Sequence, residues 1–115
     1  MVLIDIDKLK KRIATKKTSP IKVKEYVVID YPQNGDKILP QEYTMRIGAS
    51  NGSPVEVSID NQPWVECRGD QGYYWYDWKD IPLGTHTCVA RKKLVSGKYK
   101  KSKEVRCMAT ENLKN

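Results

Sequence analysis

Val55-Glu56-Val57-Ser58-Ile59-Asp60 is the stretch on which the fold turns. Three β-branched aliphatics alternate with Glu56, Ser58 and Asp60, the period-two pattern of a strand with one face buried and one in water. Asp60-Asn61-Gln62-Pro63 has turn chemistry and leads into Trp64-Val65-Glu66-Cys67-Arg68, read as a single returning strand. Upstream, Glu42 to Gly48 alternates with Tyr43, Met45 and Ile47 on one face. Before it, Tyr26-Val27-Val28-Ile29-Asp30-Tyr31 is β-branched and aromatic, and Pro32 to Asp36 ends it in turn residues. Downstream, Arg68 to Gly72 reads as a loop, Tyr73 to Trp78 as an aromatic strand and Asp80 to Gly84 as a turn. Thr85 to Lys93 is a strand with two inward sets open to it. His86, Cys88 and Ala90 are preferred over Thr87, Val89 and Arg91 because that choice leaves the arginine in water. Ser96-Gly97 turns the chain back, and Lys101 to Ala109 returns with Val105 and Cys107 aligned.

About seven short strands with polar turns between them predict an all-β antiparallel sandwich over residues 26–109. A small closed barrel has the same periodicity, which reports faces and not closure. Residues 1–25 read differently. Ile6, Leu9 and Ile13 stand at helical spacing amid Lys8, Lys10, Lys11 and Arg12, which predicts a basic arm, either extended or a short amphipathic helix; residues 110–115 form a tail.

The chain has 115 residues, the length of one domain, and 39% of them are hydrophobic, enough for a core and against wholesale disorder. No apolar run approaches the length of a membrane-spanning helix. Basic residues follow the first apolar run instead of preceding it, so no secretory signal is read. Three cysteines without C-x-x-C spacing predict reduced, mostly buried thiols, and with that a cytoplasmic location. The net charge of +7 is unevenly spread. Residues 1–25 carry eight basic and three acidic groups and residues 92–115 eight and two, while residues 26–91 carry five and nine.

Val55-Glu56-Val57-Ser58-Ile59-Asp60, then Trp64, then the aromatic strand, then Ile81-Pro82-Leu83-Gly84-Thr85-His86 and Ala90-Arg91 resemble the middle of bacterial immunoglobulin-like sandwiches of the early-set kind. Tyr31-Pro32 and Gly35 before Ile38 resemble their first strand and turn, and Asn61 stands where the pattern has glycine. Cys67, Cys88 and Cys107 are not spaced like the inter-sheet pair of antibody domains. The resemblance implies a non-catalytic module that binds glycans, forms dimers or spaces other domains.

Candidate chemistry is sparse. His86 is the only histidine, read as a packed residue bonded to a backbone group, and Cys88 shares its face but stands about 7 Å along the strand, too far to pair with it. His86 with the cysteines lacks the close-spaced pair of a metal site, and Asp77 with Asp80, or Asp60 with Glu66, reads as solvated turn acids. No catalytic residue, metal or cofactor is expected. The aromatic run is the best candidate site: alternation sends Tyr73 and Trp75 to one face and Tyr74, Tyr76 and Trp78 to the other. Trp64 and Arg68 are expected to flank the same edge. Such rings suit a protein partner or self-association first, and a glycan as the alternative. Lys10, Lys11, Arg12, Lys92, Lys93, Lys100 and Lys101 are the candidates for a third role, nucleic-acid or other polyanion binding.

Overall fold

The computed structural model describes residues 24–50 and 54–112. The basic arm or helix expected before residue 24, with Lys10, Lys11 and Arg12, lies outside the described residues. Within them there is no helix, and ten strands follow in order. These are β1 (Val27–Tyr31), β2 (Asp36–Ile38), β3 (Glu42–Ala49), β4 (Val55–Ile59), β5 (Val65–Glu66), β6 (Arg68–Asp70), β7 (Tyr73–Lys79), β8 (Gly84–Lys93), β9 (Tyr99–Lys101) and β10 (Val105–Ala109). They form two sheets. One runs β1-β3-β7-β6; the other runs β2-β10-β8-β4-β5, with β9 on the far end of β8. All pairings are antiparallel except β2 with β10.

The core lies between the sheets and is built from the period-two faces. Met45 and Ile47 of β3 meet Val55 and Val57 of β4 and Cys88 and Ala90 of β8, all of them buried. Burying each of the larger aliphatics stabilises the sandwich by about 1.5–3 kcal/mol over leaving it in water. The preferred inward set on β8 is the observed one, with His86, Cys88 and Ala90 all buried. The same face continues to Lys92, which is 1% exposed. A long β8 carries its inward face past the aliphatic centre, and the buried lysine there meets a partly exposed carboxylate.

The stretch from Trp64 to Arg68 is not one strand. Val65–Glu66 pairs with β4 in the larger sheet, whereas Arg68–Asp70 pairs with β7 in the smaller. The chain crosses between sheets at buried Cys67, whose N–H is tied to the Val55 carbonyl at 2.8 Å. Arg68–Asp70 therefore belongs to a hairpin and not to a loop. Its turn places Gln71 and Gly72 at φ 54° and 83°, both left-handed as a type I′ hairpin turn requires. Asp60 and Asn61, at φ 55° and 61°, make the same turn after β4, closed by Gln62 N–H to the Ile59 carbonyl at 3.0 Å. Asn61 tolerates this conformation better than most side chains, which accounts for its standing in place of glycine.

Candidate functional site

Strand β7 divides its aromatic residues between core and surface. Trp78 is buried among the aliphatics, and Tyr74 and Tyr76 pack against the same cluster half-buried. Tyr73, Trp75 and Asp77 face outward over β3 and β6. The outer face of the smaller sheet is knitted by cross-strand contacts. The Arg46 guanidinium lies 4.3 Å from the Tyr73 ring centroid and 4.9 Å from that of Tyr31, with its Nε 3.2 Å from Asp30 Oδ2. A register shift between Ile29 and Tyr31 lets the consecutive residues Asp30 and Tyr31 both reach this arginine. Further along, Asp77 accepts hydrogen bonds from Arg68 at 3.2 Å and Thr44 at 3.0 Å, which together hold its carboxyl below the usual range. The Trp75 indole N–H donates to the Asp70 carbonyl at 3.0 Å, and its ring meets Tyr73 edge-on.

Trp64 lies elsewhere. It belongs to the outer side of the larger sheet, because the chain changes sheets after Glu66, so it does not share an edge with Arg68. There the guanidinium of Arg91 sits 4.2 Å from the Trp64 centroid and 3.8 Å from that of Tyr99, and its Nε bonds Glu56 at 2.7 Å. The two outer faces thus repeat one device, an arginine between two rings and fixed by a carboxylate from the neighbouring strand. Tyr74, Tyr76 and Trp78 turn toward the core and Tyr73 and Trp75 lie outside the smaller sheet, the division that alternation predicts, while Trp64 lies outside the larger sheet.

A groove of about 590 Å³ opens beside Trp64. Its rim follows from an interruption between β9 and β10. From Arg91 to Cys88 on β8, residues 89 and 90 intervene, whereas residues 102, 103 and 104 lie between their partners Lys101 and Val105. The extra residue bulges the chain outward. Ser102 anchors the bulge, with its N–H on the Ala90 carbonyl and its hydroxyl accepting the Ala90 N–H.

The basic candidates do not form one patch. Lys92 is buried, its ammonium 2.6 Å from Glu25 and 3.0 Å from Ser50, and cannot meet a polyanion. Lys93 and Lys101 are exposed on the outer side of the larger sheet. Lys100, also exposed, is Lys92's ladder partner and near enough to Glu25 to add to the lowering of its pKa.

His86 is committed to structure at both ring nitrogens. Nδ1 is 2.6 Å from Asp60 Oδ2 and Nε2 is 2.6 Å from the Pro82 carbonyl, and both neighbours are acceptors, an arrangement that favours the doubly protonated ring. Burial opposes that charge, but the Pro82 carbonyl and the Asp60 carboxylate outweigh it and raise the pKa above 6.5. Asp60 is paid back in kind: its other oxygen accepts the Thr87 N–H at 2.9 Å, and against burial these bonds lower its pKa. The residue directly across from His86 is Cys107, which periodicity along one strand could not show, since it reports neighbours on that strand and not those on the next. All three thiols are free and buried, and burial pushes Cys67 up to about 12. Among the described residues no cluster of three or more His, Cys, Asp or Glu is placed to hold a metal ion.

No protein-family model and no curated protein matches the chain. Solved structures do. The fibronectin(III)-like modules of Clostridium thermocellum CbhA superpose with a TM-score of 0.61 at 15% identity, over 73% of this chain and 94% of theirs. An engineered protein gives 0.60 at 18% identity, over 76% of this chain and 20% of that one. A modular endo-β-1,4-mannanase from Cellulomonas fimi gives 0.55 at 16% identity, over 76% and 19%. At these identities the likeness is one of fold: a two-sheet sandwich of the fibronectin type III and immunoglobulin-like kind. The module named among them is fibronectin(III)-like, where the sequence motifs resemble early-set domains.

Proposed function

We propose that this chain is a non-catalytic accessory module whose contact surface is the outer face of the smaller sheet, and whose occupant is a second copy of the chain. The observation that carries this reading is the Tyr31–Arg46–Tyr73 stack with Trp75 beside it. Tyrosine, tryptophan and arginine are the residues that most often dominate protein interfaces. Fixing Arg46 between two rings and Asp30 lowers the ordering cost of association. Signs alternate across the face, with Asp30 and Asp77 against Arg46 and Arg68, and such a face complements itself about a two-fold axis. The fibronectin(III)-like likeness supports the accessory role in general.

Sedimentation equilibrium on the full chain tests it. The expected result is a concentration-dependent dimer that Trp75→Ala weakens at least tenfold and that high salt weakens further. A chain that stays monomeric at millimolar concentration, or a dimer indifferent to Trp75→Ala and Arg46→Ala, overturns it.

A further inference from the structure

The groove beside Trp64 lies on the opposite side of the sandwich and has a different chemistry. Its floor is Thr87 and Val89 of β8 with Ser58 of β4, and its walls are Trp64, Lys101, Ser102, Glu104 and Arg106, closed at one end by Asp60 and Asn61. Its volume falls within the range in which proteins hold small molecules. The charges do not cancel. Asp60 has both carboxylate oxygens engaged within the fold, one on the His86 ring and one on the Thr87 N–H, so neither is free to offset the cations of the groove. Neither Lys101 nor Arg106 makes an ion pair with a carboxylate of the described residues, and Glu104 is the one acid left to oppose them. Two cations against one carboxylate, beside an indole and among hydroxyl and amide side chains, suit a ligand that joins an anionic group to a hydroxyl-rich ring.

We propose that this groove binds a carboxylate-bearing sugar, with the carboxylate on Lys101 and Arg106 and the ring against Trp64. The site is built before the ligand arrives. Arg91, held by Glu56, braces the indole, and the two Ser102–Ala90 hydrogen bonds fix the bulge that carries Glu104 past the floor. Such preorganisation leaves little ordering to be done on binding.

The test is a titration of the uniformly ¹⁵N-labelled full chain with tri-galacturonate, with neutral galactotriose, with inorganic phosphate and with a short single-stranded DNA. Tri-galacturonate is expected to give saturable shifts at the Trp64 indole N–H and at the amides of residues 101–106. Galactotriose is expected to bind at least tenfold more weakly. Lys101→Ala and Arg106→Ala, both on exposed side chains, should each weaken the acidic sugar about tenfold while leaving the amide spectrum otherwise intact. Absence of saturable shifts at millimolar tri-galacturonate, or equal affinity for the neutral sugar, overturns the proposal. So do equal shifts from phosphate alone, which make the groove a simple anion site, or from DNA, which make it part of a polyanion surface. Because Trp75 and Arg46 lie on the other sheet, failure of the dimer leaves this outcome untouched.

Discussion

The ammonium of Lys92 lies 2.6 Å from the carboxylate of Glu25, 67 residues earlier in the chain, and this pair ties the start of the smaller sheet to the end of the longest strand of the larger. Ser50 completes the link. Its hydroxyl accepts from the Lys92 ammonium and the Tyr26 N–H, and donates to Glu25 at 2.8 Å. The lysine is the more deeply buried partner, since the Glu25 side chain is 40% exposed. The hydrogen bonds from Lys92 and Ser50 hold the Glu25 carboxyl below its usual range.

Desolvating a charge offsets much of what its ion pair contributes, so the aliphatic stem of Lys92 is expected to matter more to stability than its charge. Lys92→Met keeps the volume and should change the urea-unfolding free energy by under about 1.5 kcal/mol in either direction. Lys92→Ala opens a cavity and should cost about 2–5 kcal/mol. Glu25→Gln should destabilise more than Lys92→Met, because the buried ammonium then loses the carboxylate that faces it. Equal losses in the Met and Ala variants would show that the charge, and not the packing, is what the site uses.

The Asp60–His86 pair sets a pH window. Asp60 is held below 3.8, so its contribution is present above that value and fades as pH falls through its folded pKa. His86 is held above 6.5, so its contribution is full below 6.5 and is lost as pH rises through the folded value. With the lowered Glu25 and Asp77 carboxyls adding to Asp60 on the acid side, melting temperature should decline below about pH 4.5 and, through His86, above about pH 6.5. His86→Gln should melt lower and lack the alkaline decline. The imidazole ¹⁵N resonances should titrate above 6.5 with both nitrogens protonated at pH 6; a single-protonated ring at that pH would contradict the assignment.

Much of the fold was legible because period-two alternation reports burial directly. Val55, Val57 and the inward set His86, Cys88 and Ala90 are where that pattern puts them. Lys92 was not legible, because keeping charge outside is a rule about unpaired charge, and its carboxylate partner comes from a distant segment. The strand switch at Cys67 was hidden for a related reason: one alternating run continues through a change of sheet without a break in period. The same limit applies to the arginine stacks. That Arg46 faces Trp75 and Arg91 faces Lys101 depends on cross-strand register, which no single strand encodes.

Arg91 offers a measure of what such a stack contributes. Cation–π contact with two rings and a largely buried ion pair to Glu56 are each worth about 0.5–1 kcal/mol, so Arg91→Ala should lower the unfolding free energy by about 1–2 kcal/mol. Arg91→Lys keeps the charge but not the flat guanidinium, and should recover about half of that loss. A lysine variant as stable as the parent in urea unfolding would mean that charge alone accounts for the contact.

The three thiols should be silent in the folded protein. Cys67, Cys88 and Cys107 are each 5% exposed or less, which keeps a reagent out. Burial raises the Cys67 pKa, and the Cys107 thiol together with burial raises that of Cys88. The Cys88 thiol lowers that of Cys107, whose protection is therefore its burial alone. Cys88 and Cys107 lie on the neighbouring strands β8 and β10. They are diagonal neighbours, since Cys107 pairs with His86 and Cys88 with Val105, and diagonal positions stand about 7–8 Å apart, beyond comfortable reach of a disulfide. A chromogenic disulfide reagent added to the native chain at pH 8 should therefore release colour only at the rate at which the sandwich opens, and three equivalents at once in denaturant. Reaction should accelerate in Lys92→Ala about tenfold for each ~1.4 kcal/mol of stability lost, because opening and not chemistry limits the rate. A rapid native phase of one equivalent would place a thiol at the surface, and a total of one in denaturant would mean that Cys88 and Cys107 had joined after all.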